Sequence, residues 1–213
     1  GVVVINRVKS HTDFHSDVES GLSKMLAVGL GKPDGARSMH KRGAGALRDN
    51  IGRAAQMILE KAPVLLGVAV VEDELNHLAV VEVVPARDIP ATDRALLVLA
   101  RGYLPRMPAS RVDVLIVDEM GKEISGTGID TNVIGRMMVE GQPEPDAPSV
   151  ERIVVLDLTD NSCGNCLGIG LADFTTLRVA RKIDYQASML NVMTSTFLQR
   201  GKIPLIMKND YEA

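Results

Sequence analysis

The sequence predicts an α/β protein, with a mixed or mostly parallel sheet flanked by helices, on three observations. Short runs rich in Val, Ile and Leu recur along the chain. Polar, Gly-rich loops come after them, and stretches with apolar residues at helical spacing separate them. With 213 residues, 46% of them apolar, the chain can bury the core of one full domain or of one and a half smaller ones.

Residues 2–5 form the first apolar run, and a polar loop bearing two histidines occupies residues 6–20. Residues 19–30 read as a short helix that Gly29 and Gly31 end. A stronger helix is predicted over residues 44–62. There Leu47, Ile51, Ala54, Ala55, Ile58 and Leu59 fall on one face, and Pro63 stops it. Residues 64–71 and 78–84, joined by a polar link, read as a hairpin or as two strands near one edge. A helix over residues 92–103 takes Thr92 as its cap. A strand over residues 111–117 leads into the Gly-rich loop 118–128 and a helical stretch over residues 131–139. Three prolines in residues 142–148 mark an exposed connector. Residues 153–158 are a further strand, and residues 174–183 and 185–198 are expected as closing helices.

Composition excludes several classes of partner. A net charge of -3 with interspersed signs, and only 3% aromatic residues, leave neither a phosphate footprint nor stacking platforms, so nucleic acid is not expected. The longest apolar runs are about eight residues, against the roughly 20 of a membrane-spanning helix, so no membrane partner is expected. Two cysteines in one turn, Cys163 and Cys166, fit a cytoplasmic protein better than a disulfide scaffold. The opening Gly-Val-Val-Val-Ile reads as mid-strand, which suggests the carboxy-side fragment of a two-lobed enzyme, inert alone. On that reading residues 1–62 are the remnant of an amino-terminal cofactor-binding lobe and residues 63–213 a carboxy-terminal α/β domain. Assembly as a homo-oligomer stays open.

The chemistry-bearing residues concentrate near the start. His11, Asp13 and His15 have the types and close spacing that let imidazoles and a carboxylate converge on one cation, although polar loops of this composition are common without a metal. His77, at a polar hairpin tip, reads as solvated. The Gly29 to Lys32 stretch and Gly43-Ala-Gly45 lack the full phosphate-loop pattern and read as turns. Cys163 and Cys166 have no second ligand pair and read as a structural turn.

Several longer stretches carry a resemblance that no single motif does. Asn6-Arg-Val-Lys-Ser-His-Thr-Asp-Phe14, Glu19-Ser-Gly-Leu-Ser-Lys-Met-Leu26 and Gly29-Leu-Gly-Lys32 resemble the lactate-racemase-like superfamily, in particular a branch of nickel-pincer isomerases. So do Gly121-Lys-Glu-Ile-Ser-Gly-Thr-Gly128 and Gly168-Ile-Gly-Leu-Ala-Asp173. The resemblance covers nearly the whole chain and is specific to that branch, with only a few positions shared with the characterised racemases.

In that family a lysine joins through a thioamide to a pyridinium mononucleotide that holds nickel, and a histidine about sixteen residues later is a nickel ligand. Lys24 and His40 stand sixteen apart. The resemblance therefore implies a nickel-pincer nucleotide, Ni(II) with a pyridinium dithio mononucleotide, covalent on Lys24 and ligated by His40. It also implies His11 as acid/base, with His15 second. The implied reaction is racemisation or epimerisation of a small 2-hydroxy acid by hydride abstraction and return, and cofactor-biosynthesis enzymes become expected partners. Residue type and loop position add Lys122 or Arg136 as a carboxylate clamp, with Asp130 and Asn132 as hydrogen-bonding groups. Two rival readings remain. One is a metal-dependent hydrolase or lyase using His11, Asp13 and His15, with His40 as a further candidate, and the other a non-catalytic paralogue.

Overall fold

A computed structural model describes residues 1–32, 34–35 and 43–213, with side chains of the helix that begins at Gly43 described from residue 48 onward. The chain divides into two compact units, Gly1–Pro105 and Arg106–Ala213, each with its own hydrophobic core. The sequence-based division after residue 62 falls inside the first unit, between a helix and a strand of one sheet.

In the first unit, β1 (Val2–Arg7) pairs in parallel with β2 (Val64–Glu72), which pairs antiparallel with β3 (Leu78–Pro85). Of the two arrangements expected for these apolar runs, a hairpin or two strands near one edge, they form the hairpin. At its tip Asp73 Oδ1 accepts the N–H groups of Leu75 and His77, both at 2.9 Å, and Asn76 takes a positive φ of 61°. His77 is exposed there.

The β1-to-β2 crossover carries α1 (Leu22–Lys24), which runs directly into a π-helix (Met25–Leu30), and α2 (Gly43–Lys61). Gly29 therefore lies inside the π-helical turn rather than ending a helix. After β3, α3 (Ile89–Gly102) starts three residues before Thr92, with Asp88 at the N-cap position and Pro90 in its first turn. Its inward residues Ile89, Asp93, Leu96, Leu97 and Ala100 keep to helical spacing. The four apolar ones pack with Leu22, Leu26 and Ala55 against Val4, Ala69, Val71 and Val84 of the sheet. Fully burying each Leu or Ile of this layer contributes about 1.5–3 kcal/mol.

The second unit is a four-stranded, all-parallel sheet in sequence order, β4 (Arg111–Met120), β5 (Ser149–Leu158), β6 (Phe174–Thr176) and β7 (Leu205–Met207). Its core gathers Met120, Ile153, Val155, Leu158, Ile169, Leu171 and Val179. Helices α4 (Thr131–Ile134), α5 (Leu177–Lys182) and α6 (Tyr185–Ser195) flank it.

Three local expectations are corrected. The stretch expected as a helix from residue 174 opens instead with β6. Thr175 and Thr176 donate their hydroxyls to the β5 carbonyls of Val155 and Leu156, and Thr176 then caps α5. The helix expected over residues 131–139 stops at Ile134, because Gly135 takes a φ of +65° and a Cβ there would overlap the Pro148 carbonyl. The Glu144 carboxylate then accepts the N–H groups of Met137 and Met138 in place of helical carbonyls. The last helix ends at Ser195, with Thr196 at a φ of 67°, and the chain continues into the three-residue strand β7, which sequence did not foresee. Among the described residues no helix is long and apolar enough to cross a membrane.

Candidate functional site

Residues 8–20 leave the carboxyl end of β1 and fold back as a loop closed by backbone pairing of Lys9 with Ser20. Val8 still donates to Val70 of β2, so the loop starts from a fixed sheet edge. Ser10, His11, Asp13, Phe14 and Glu19 are all buried within it.

Glu19 is the centre of the loop, with no side-chain exposure. Its Oε2 accepts the His11 N–H at 2.6 Å, and its Oε1 accepts the Ser16 N–H at 2.9 Å and the Arg101 guanidinium at 2.6 Å. His15 Nδ1 lies 3.3 Å from the same Oε1. Burial by itself would raise this carboxyl group, but the hydrogen bonds from His15, His11, Ser16 and Arg101 together hold it below its ordinary value. Arg101 also donates to the Ser16 carbonyl at 2.9 Å, so α3 grips the loop at two points.

His11 is stacked on Phe14, with ring centroids 4.4 Å apart, and its Nδ1 accepts the Asp13 N–H at 3.1 Å. That bond assigns the neutral ring its proton on Nε2. A proton taken on Nδ1 would lie beside Asp13 Oδ2, 3.5 Å away. His15 is half exposed.

Lys24 closes α1 at the base of this loop and is half-buried. Desolvation pulls its ammonium group below the ordinary lysine value, the Asp13 charge opposes that shift, and the Lys9 charge adds to it. The helix that presents it is anchored from a distance. Asp93 of α3 accepts the N–H groups of Leu22 at 2.9 Å and Ser23 at 2.6 Å, and Asn6 of β1 donates to the Gly21 carbonyl at 2.8 Å. Gly21 is required by that approach, since a Cβ would stand 2.5 Å from Asp93 Oδ1. The neighbouring Ser23 hydroxyl is buried and makes no hydrogen bond among the described residues. Lys24 also stands directly before the π-helical turn, an irregularity found often at functional sites.

The structure thus brings His11, Asp13, His15 and Lys24 into one neighbourhood of the first unit. His40 lies outside the described residues. Glu19, Asp93, Arg101 and Ser23 were not singled out by sequence. Asp93 left a signal, a carboxylate on the apolar stripe of a helix. Glu19 left only its place four residues after His15.

The remaining expected residues belong to the second unit. Lys122 lies just past the carboxyl end of β4, its ammonium donating to the Gly126 carbonyl and, at 3.0 Å, to Asn191 Oδ1. Asp130 is the N-cap of α4, accepting the backbone N–H of Asn132 at 2.9 Å and its side-chain amide at 3.0 Å. Arg136 donates to the carbonyls of Leu171, Val150 and Glu151 and to Asp173 Oδ2, at 2.8–3.1 Å. Those partners hold it at the amino end of β5, whereas Lys122 sits at the carboxyl edge, a strand length of about 25 Å away. There Arg136 ties the carbonyls of Leu171, Val150 and Glu151 to Asp173. Cys163 is exposed and Cys166 buried, and burial pushes the Cys166 thiol up, with a Ser188 contact at 3.4 Å. A protonated thiol is a poor nucleophile and a poor ligand.

Compared with protein-family models, curated proteins and solved structures, the chain matches none of them.

Proposed function

We propose that this chain belongs to an isomerase, a racemase or epimerase of a small 2-hydroxy acid, that carries a nickel-pincer nucleotide covalently on Lys24. The observation that carries the reading is the desolvated Lys24 amine set beside the buried His11–Asp13 loop. A tethering lysine must be neutral to act as a nucleophile, and desolvation favours the neutral amine. The residues present fit that group at the tether. The fit at nickel would fall to His40, outside the described residues.

When bound, the group supplies the acceptor and donor for hydride at the substrate α-carbon. The chain's own part is proton handling and orientation. With Nε2 carrying its proton, His11 takes the substrate hydroxyl proton only at Nδ1, which must first release the Asp13 N–H, and the imidazolium so formed is countered by the Asp13 carboxylate and the face of Phe14. Glu19 fixes the His11 backbone and orients His15 through Nδ1. Burial of His11 and Phe14 limits water at the reacting centre. Two reduced cysteines are consistent with a cytoplasmic setting.

A hydrolase using only a metal held by His11, Asp13 and His15 has less support. Among the described residues no group of three or more His, Cys, Asp and Glu side chains could hold a metal ion. The test is chiral chromatography of enantiopure 2-hydroxy acids incubated with the protein after loading by cofactor-building enzymes. The loaded protein is expected to interconvert one enantiomeric pair, and His11→Ala to slow it by about 10²–10⁴-fold. A protein carrying nickel on Lys24 that interconverts none of them would sink the proposal.

A further inference from the structure

We propose that the groove at the carboxyl ends of β6 and β7 is a binding site for a small ligand bearing a phosphate dianion. The groove has a volume of about 880 Å³, within the range of small-molecule sites, and lies wholly in the second unit. Among its lining residues are Arg178, Arg181 and Lys182 of α5 and Lys208, Asp210 and Tyr211 after β7. Because β4 to β7 are all parallel, the strand ends that open into it form the carboxyl edge of the sheet, where α/β proteins place their ligands.

The charges divide by role. Arg178 is paired with Asp210 and, at 3.7 Å, with Asp157, and Lys182 with Asp157 at 2.9 Å and Asp160 at 3.3 Å. These pairs fix the wall, with three carboxylates set against two cations. Arg181 and Lys208 are exposed, line the same groove, and have no carboxylate within ion-pair reach among the described residues. Two cations outside those ion pairs and facing one concavity suit a dianion, whose oxygens engage both, better than a monocarboxylate, which would engage only one. Arg181 offers the planar fork that meets two phosphate oxygens together. Asn209 and the exposed Tyr211 offer further hydrogen bonds at the rim. This site does not involve Lys24 or its cofactor.

The test is calorimetric titration of the full chain with inorganic phosphate, glycerol 3-phosphate, acetate and glycerol at about 0.15 M chloride, where non-specific charge attraction is screened. Both phosphates should bind saturably at one site, and acetate and glycerol should not. Tighter binding of the ester identifies a phosphorylated metabolite as the source, and equal binding identifies free phosphate. The Arg181→Gln/Lys208→Gln variant should lose at least about tenfold in affinity, and the charge-keeping Arg181→Lys/Lys208→Arg variant less than that. Both side chains are exposed, so neither variant disturbs the core, and Arg94→Gln on α3 serves as an unaffected control. Absence of saturable binding by both phosphates would overturn the proposal. So would a glutamine double variant that binds as tightly as the parent chain.

Discussion

At Glu19 two opposing effects meet, and the hydrogen bonds win over desolvation, so its folded-state value lies below that of the unfolded chain. The stabilisation is therefore fully present above the unfolded value of about 4.3 and is lost as pH falls from there through the lower folded value. Glu19→Gln keeps the shape but removes the charge that four donors share, so it should cost about 2 kcal/mol at pH 7. Denaturant unfolding at a series of pH values should show that difference shrinking as pH drops below about 4.3. A gap that stays constant down to acid pH would mean that the charge of Glu19 contributes nothing. The same residue shows what sequence could and could not reveal. His11, Asp13 and His15 are neighbours in the chain and were legible as a group. The carboxylate that organises them gains its meaning from Arg101, 82 positions away, and no local pattern announces that pair.

Among the elements, α3 does most to set the site. Its apolar stripe keeps the 3.6-residue period and was readable, although Pro90 near its start and the turn before it moved its beginning ahead of Thr92. Asp93, the polar residue on that stripe, substitutes for a local cap by accepting the first two N–H groups of α1, the helix that bears Lys24. Asp93→Ala would leave two buried donors unsatisfied and should cost about 2–4 kcal/mol, with Asp93→Asn near half of that because one oxygen remains. Equal urea midpoints for parent and Asp93→Ala would contradict this role. Elements shorter than a few residues were the ones missed. β6 and β7 have three residues each and are strands because the neighbouring parallel strands pair with them, which periodicity does not register. The π-helical turn after Lys24 likewise has no sequence signature here, since Met25 to Leu30 would suit an ordinary helix equally well.

At the scale of the whole molecule, the α/β class was legible because apolar runs, polar loops and helical periods alternate over most of the chain. The presence of two cores was less so. The boundary at Pro105 carries no long linker, and the apolar runs of β2 and β3 group as readily with the later strands as with β1. The proposed function rests on one covalent bond, that between Lys24 and the pincer nucleotide. Its most direct test is the mass of the intact protein after loading with the cofactor-building enzymes and nickel, with peptide mapping to place any adduct. Added mass is expected on the peptide containing Lys24, lost in Lys24→Ala and unchanged in Lys122→Ala. Loaded protein with an unmodified Lys24, or an adduct that persists in Lys24→Ala, would contradict it.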